Sequence, residues 1–198
     1  MKVRSFVWLV GCSCLAFCNK TVEPVTGKKE PSLVNSGYIE YLIPRNQHYA
    51  TENGYKTVKK EQLRFMAVFD SSCIYTSQVR ENQQDINKLY GFSDCGSGHS
   101  VNSARFGWLW NGSAIELYAY CYINGVRTSL LLDTVAIDQQ NTLAIQVKAH
   151  QYIFECNGKT TAISRHCATG AIEGYQLYPY FGGDETAPHN IHIYIKEI

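Results

Sequence analysis

The chain lacks the features that would place it in several large functional classes. Its 198 residues carry no excess charge of one sign: 18 Lys and Arg oppose 17 Asp and Glu, for a formal net charge of +1. No run of Lys or Arg exceeds two residues, as at Lys59-Lys60. The electrostatic footprint of a nucleic-acid partner or of an acidic membrane surface is therefore missing. No apolar stretch approaches the roughly 20 residues a helix needs to cross a bilayer. No segment recurs with the period of a propeller or solenoid. The cysteines form no CxxC pair and no His/Cys spacing suited to zinc.

What is present begins with a leader. Lys2 and Arg4 precede a mostly apolar stretch, Ser5 to Phe17, too short to span a membrane. Cysteines punctuate it in the manner of a lipoprotein signal, and two lipidation sites compete. Leu9-Val10-Gly11-Cys12 has a small residue before the cysteine but a short apolar region. Leu15-Ala16-Phe17-Cys18 has the usual length, and Cys18-Asn19-Lys20 resembles the start of many Gram-negative lipoproteins, which favours Cys18 over Cys12. Residues 1–18 read as the signal peptide. Residues 19–36, polar with two prolines, read as a flexible tether, and residues 37–198 as one domain. The protein is thus expected to be exported and lipid-anchored in the bacterial cell envelope, periplasm or outer membrane, and to meet a membrane only through that anchor.

The domain reads almost entirely as strands. Asn111-Gly112, Asn124-Gly125 and Asn157-Gly158 are hairpin signals, because a type I′ turn needs positive φ at both central positions. Two-residue turns at the first two predict that Trp108 faces Ile115, Phe106 faces Leu117 and Ala104 faces Ala119. They also put Arg127 beside Tyr122 and Ser129 beside Tyr120. Side chains alternate along a strand, so Ala104, Phe106 and Trp108 share a core face. Ser103, Arg105, Glu116, Tyr118, Tyr120, Tyr122 and Arg127 share the opposite one. Other strands are expected at Gly37 to Ile43, Leu63 to Phe69, Leu143 to Lys148, Tyr152 to Cys156, Thr160 to Ser164, Tyr175 to Phe181 and Ile191 to Lys196. Only Gln84 to Tyr90 reads as helix, over about two turns. Many short strands with turn residues between them predict an all-β, antiparallel β-sandwich of the jelly-roll type.

A face of tyrosine and arginine suits a carbohydrate, since tyrosine offers an apolar ring with a hydroxyl and arginine a planar fork for a carboxylate. Tyrosines also favour the solvated face of any antiparallel sheet. Two loops adjoin this face. Asp94 to Ser100 holds His99 and feeds the strand of Ser103 and Arg105; Phe181 to His189 carries Asp184 and Glu185, a pair able to bind calcium or simply be hydrated. No cofactor is otherwise expected. Of eight cysteines, three fall in the leader (Cys12, Cys14, Cys18) and five follow: Cys73, Cys95, Cys121, Cys156 and Cys167. An odd number leaves at least one thiol free, and Cys121, on the core face, is the best candidate. Cys156 with Cys167, or Cys73 with Cys95, are candidate disulfides.

Ser103-Ala104-Arg105-Phe106-Gly107-Trp108, then Asn111-Gly112 and Glu116-Leu117-Tyr118-Ala119-Tyr120, resembles the S-x-R-x-x-W…G…E-L-Y-x-Y stretch of alginate and glucuronan lyases. Tyr180-Phe181-Gly182-Gly183-Asp184…Ala187-Pro188 resembles the segment before their last strand. The stretch Asp85 to Cys95 is similar to one in a group of small exported proteins. The resemblance implies a concanavalin-like jelly roll with Ser103, Arg105, Tyr118 and Tyr120 in a concave cleft. For a lyase it implies that Arg105 neutralises a uronate carboxylate, that Tyr118 or Tyr120 acts as base or acid, and that His99 assists. The bland alternatives are an Arg105–Glu116 ion pair and an exposed His99. The domain is short for such a lyase, and the lysine those enzymes carry on a neighbouring strand has no matched position in this sequence. The sequence therefore favours a glycan-binding protein, with a polysaccharide lyase acting on uronate chains as the alternative. A structural or assembly lipoprotein that binds another protein is the third reading.

Overall fold

A computed structural model describes residues 33–198; the leader with Cys12 and Cys18, and the tether up to residue 32, lie outside the described residues. The last four tether residues form a 3-10 turn, Leu33–Ser36. Twelve strands follow: β1 (Ile39–Ile43), β2 (Thr57–Val58), β3 (Gln62–Phe69), β4 (Asn87–Ser93), β5 (Ser103–Trp110), β6 (Ile115–Ile123), β7 (Val126–Val135), β8 (Gln140–Lys148), β9 (Gln151–Cys156), β10 (Lys159–Ser164), β11 (Gly174–Leu177) and β12 (Ile191–Glu197). They make two six-stranded sheets, ordered β1-β12-β3-β8-β9-β10 and β2-β11-β4-β5-β6-β7, with every pairing antiparallel. This is the all-β jelly-roll sandwich expected of the sequence.

Alternation supplies the core. Leu63, Phe65, Ala67 and Phe69 of β3, and Ile191, Ile193 and Ile195 of β12, point inward and are almost fully buried. They meet Ala104, Phe106 and Trp108 of β5 from the other sheet. Phe106 is clasped edge-on between Phe65 of β3 (5.7 Å between ring centroids) and Phe154 of β9 (5.2 Å), so rings from the two sheets interdigitate. The positive edge of one ring meets the negative face of the next, and truncating such a residue costs about 3–5 kcal/mol.

The hairpins show where turn chemistry held and where it did not. Asn124 and Gly125 have φ of 50° and 82°, and Asn157 and Gly158 have 49° and 85°. Both are two-residue turns, so Tyr122 pairs with Arg127 and Tyr120 with Ser129 as expected. At Asn111-Gly112 the loop is four residues long. The Asn111 side chain accepts hydrogen bonds from the backbone N–H of Ser113 and Ala114, closing a wider turn. Trp110 therefore pairs with Ile115, Trp108 with Leu117, Phe106 with Ala119 and Arg105 with Tyr120. The slip is two residues, and because the side-chain period is also two, every face assignment survives.

The expected helix at Gln84 to Tyr90 is replaced by a 3-10 turn, Arg80–Gln84, and by β4. Between Lys88 and Gly91 the register against β5 shifts, leaving Leu89 and Tyr90 opposite one residue. Such a bulge turns two successive side chains inward. The apolar spacing Ile86, Leu89, Tyr90 then imitates a helical i, i+3, i+4 stripe. The strand expected at Tyr175 to Phe181 stops at Leu177, yet Tyr180 resumes the ladder with Lys88 through reciprocal hydrogen bonds of 3.0 and 2.8 Å. The short strand β2, paired with β11, carries no sequence signal of its own.

The disulfide joins Cys95 to Cys167, contrary to both expected pairings. Cys73 and Cys156 are buried thiols, as is Cys121. Cys156 faces the core from β9, whereas Cys95 and Cys167 meet beside a buried ion pair: nearness in sequence did not measure nearness in space. That pair is Asp94 with Arg165, both side chains fully buried, Nε to Oδ2 at 2.7 Å. Tyr152 donates to Asp94 at 3.0 Å and the Glu173 backbone N–H at 3.0 Å, while Arg165 also donates to the carbonyls of Ala171 and Thr169. A buried charge left without its partner costs about 3–5 kcal/mol. Asp94→Ala is therefore expected to lower unfolding free energy by about that amount in urea titration, more than reduction of the disulfide at about 2–4 kcal/mol. Denatured without reductant, residues 33–198 should expose three reactive thiols, and five after reduction; burial should keep all three free thiols silent in the native protein.

Candidate functional site

The outward face of the second sheet carries a groove of about 730 Å³. Its floor comes from neighbouring strands: Lys88 of β4, Arg105 of β5, Tyr120 and Tyr122 of β6, and Arg127 of β7. The β11 side adds Tyr175, Gln176, Tyr178 and Tyr180, and the two adjoining loops add His99 and Asp184. Tyr49 closes one end by packing edge-on against Tyr180 at 4.9 Å.

The cations are crowded and poorly neutralised. Arg105 is only 8 % exposed, its guanidinium lies over the Tyr120 ring at 5.2 Å, and its Nε is buried without a hydrogen-bond partner. No carboxylate among the described residues pairs with it, so the Arg105–Glu116 ion pair does not form. Lys88 donates to the Gly182 carbonyl at 2.6 Å and sits 5.5 and 5.3 Å from the Tyr120 and Tyr180 ring centroids. Burial, then the nearby charge of Arg105, opposed by Asp85 and reinforced by Arg127, pulls the Lys88 ammonium down to about 8. Gln176 donates to the Gly91 carbonyl at 2.6 Å, while its side-chain oxygen is buried and unpartnered.

Other groups complete the chemistry. Burial raises the Tyr120 phenol, as does Tyr122 beside it, against the opposing pull of Arg105 and Arg127. Tyr120 therefore keeps its proton at neutral pH. His99 is lowered, first by burial and then by Arg105, and its Nδ1 lies 2.9 Å from the Tyr175 hydroxyl. Neutral imidazole is its resting form.

Not every expected residue reaches the groove. Ser103 is fully buried, and its hydroxyl donates to the His99 carbonyl at 2.7 Å, so it holds the loop and offers a ligand nothing. Tyr118 and Glu116 lie outside the lining and hydrogen-bond to one another. Gly107 explains the separation. A Cβ there would come within 2.5 Å of Ile86 Cγ2, so Ile86 rests directly on the strand. The 3-10 turn Arg80–Gln84 packs on the same strand, and Gln83 donates to the Trp110 carbonyl at 2.9 Å. This cover separates Tyr118 and Glu116, both half-buried, from the groove that Arg105 and Tyr120 line. Of the acidic loop pair, Glu185 is committed to the backbone N–H groups of Gln78 and Val79 and to Asn82. Asp184 alone faces the groove.

Sequence reasoning missed Lys88, Gln176 and the tyrosines of residues 175–180. Lys88 was concealed by the helical spacing that the bulge imitates. Its signal was the cation in Asn87-Lys88-Leu89, which becomes a groove residue once that segment is taken as a strand beside β5.

No protein-family model matches the chain, and no curated protein matches it by sequence. Solved structures do match in shape. The alginate lyase AlyC3 superposes with a TM-score of 0.55 at 9 % identity, covering 81 % of this chain and 74 % of that one. The laminarinase catalytic domain from Thermotoga maritima gives 0.52 at 9 % identity, covering 81 % and 75 %. A structure from work on endo-acting O-glycanases of the human gut microbiota gives 0.52 at 11 %, covering 80 % and 76 %. The chain thus has the jelly-roll fold found in alginate lyases and other glycan-active proteins.

Proposed function

We propose that the protein is an exported, lipid-anchored receptor for acidic, uronate-containing glycans, held in the groove of the second sheet. The observation that carries this reading is the Arg105 guanidinium, nine-tenths buried and lacking a counter-ion. Burying a charge without a partner is costly, and an anionic ligand supplies the missing partner. Three cations, Lys88, Arg105 and Arg127, face one carboxylate, Asp184, so the groove selects negative charge. Tyrosine rings around them provide apolar surfaces for the faces of sugar rings. The Cys95–Cys167 disulfide accords with an oxidising compartment outside the cytosol.

Turnover is the second reading, favoured by Lys88. In β-elimination the C5–H and C4–O bonds break and a C4=C5 double bond forms. Arg105 is placed to bind the C6 carboxylate, whose charge grows in the transition state. Unprotonated Lys88 takes the C5 proton, and the still-protonated Tyr120 gives its proton to the leaving oxygen. His99 stands at the same end with Nδ1 engaged.

The two readings diverge with pH, because Lys88 loses its charge near 8. A receptor that uses the ammonium binds a uronate oligomer well below pH 8 and more weakly above it. A lyase that uses the free amine speeds up across the same interval. Incubating the protein with alginate and glucuronan and following ultraviolet absorbance of unsaturated products measures the rate; calorimetry measures affinity. Arg105→Ala is expected to weaken binding roughly 10- to 100-fold, the worth of one charge-assisted hydrogen bond. Equal binding by Arg105→Ala, or no binding across a panel of acidic glycans, would remove the proposal.

A further inference from the structure

A second groove, of about 660 Å³, lies next to the first. Tyr178 lines both, and the segment between them contributes to both: Asn53 faces the first groove, while Glu52, Tyr55 and Lys56 face the second. Tyr55, 80 % exposed, leans on Tyr175 of the first groove at 5.7 Å. Tyr178 is thus a wall common to the two grooves.

The second groove has a different chemistry. Tyr41, Tyr90 and Tyr178 form a triangle with centroid separations of 5.9, 6.0 and 6.0 Å. Tyr41 and Tyr90, each only a few per cent exposed, form a fixed floor, and the Tyr90 hydroxyl donates to Glu197 at 2.8 Å. The charges lining this groove cancel: Lys56 and Lys196 against Glu52 and Glu197. They are also largely engaged. Glu197 accepts from Lys56 at 3.2 Å and Lys60 at 2.8 Å, which helps hold its carboxyl at about 2, and Lys196 donates to the Ser36 carbonyl at 2.9 Å. Glu52 is the lining carboxylate with no hydrogen bond or ion pair among the described residues, and it would repel an anion.

From this juxtaposition we infer that the second groove is a subsite for an uncharged sugar unit, and that the preferred ligand is a heteroglycan in which a neutral sugar adjoins the acidic one. The inference rests on the acidic-glycan reading of the first groove. A neutral pyranose has an apolar face for the tyrosine floor and hydroxyls for the carboxylates at the rim. A second uronate would bring its charge beside Glu52, and of the two lining cations Lys56 is paired with Glu197 while Lys196 is tied to the Ser36 carbonyl.

The test uses the full-length protein and two oligosaccharide probes of equal length, one a pure uronate and one alternating uronate with a neutral hexose, with a uronate disaccharide as the short control. The alternating probe is expected to bind about tenfold more tightly than the pure uronate, the effect of about 1.4 kcal/mol. Tyr55→Ala, at an exposed position with no role in the core, should erase most of that preference; because it also removes the contact with Tyr175 of the first groove, its effect is read in the ratio of the two long probes and not against the disaccharide. Glu52→Lys should shift the preference toward the pure uronate. If the wild type binds both long probes equally, or if neither variant changes the ratio while Arg105→Ala still weakens all three probes, the second subsite is wrong and the acidic-glycan reading stands. If the disaccharide and both long probes fail to bind, the reading of the first groove falls, and this inference with it.

Discussion

The pleat of β5 is the constraint on which the rest depends. Ala104, Phe106 and Trp108 must enter the core, because Phe106 and Trp108 supply its central rings. With a side-chain period of two, Ser103, Arg105, Gly107 and Leu109 are then forced onto the other face. That face is not left to water. Seven of the eight β5 residues are buried, so the groove side of the strand is covered as well as the core side. Ser103 is closed over by the His99 loop, and Gly107 by Ile86. Arg105 falls between the two covers. Its burial is thus a consequence of what flanks it, and the lack of a counter-ion among the described residues is what marks a covered sheet face as a candidate binding site.

The β4 bulge matters for the same reason. By turning both Leu89 and Tyr90 into the core, it re-phases the strand, so Lys88 emerges on the groove face beside Arg105 while Gly91 still pairs with Arg105. A Cβ on Gly91 would lie 2.3 Å from that of Arg105, so the absent side chain leaves the guanidinium room to reach Tyr120. Two cations side by side raise each other's cost of being charged. Lys88, whose proton is labile, takes up that strain, whereas Arg105 stays charged.

The fold was legible because it rests on local rules. Alternation identified the inward faces of β3, β5, β6 and β12, and Asn-Gly pairs located three hairpins. Even the wrong loop length at Asn111-Gly112 did no damage to the faces, since it slipped the register by an even number. The site was legible only in part. Arg105, Tyr120, Tyr122, Arg127 and His99 reached the groove, but Tyr118, Glu116 and Ser103 did not. Which part of a sheet face lines a groove depends on a segment from elsewhere in the chain, here Ile86 over Gly107, and no periodicity reveals that. Lys88 was hidden by a bulge that wrote a helical spacing into a strand. The Cys95–Cys167 pairing spans 72 residues and is decided by the way the sheet ends converge on Asp94 and Arg165.

Those converging ends also make the groove mechanically uneven. On the His99 side, the loop is tied by the disulfide, by the fully satisfied Asp94–Arg165 pair, and by Ser103 and Tyr175 gripping His99. Opening it would expose a buried charge pair, at a cost of several kcal/mol. On the other side, the segment from Glu52 to Lys56 is tied at its end by the Gln176 N–H donating to the Lys56 carbonyl at 2.8 Å, and otherwise by an exposed Tyr55 tilted against Tyr175 and by the Lys56–Glu197 ion pair. An exposed pair of that kind contributes about 0–1 kcal/mol and is screened by salt. The rigid wall sets the positions of the groups proposed to meet an acidic unit. The less tethered wall lies beside Tyr178, which lines both grooves, so the proposed receptor would meet an acidic unit where the structure is stiffest and a longer chain where it is softest.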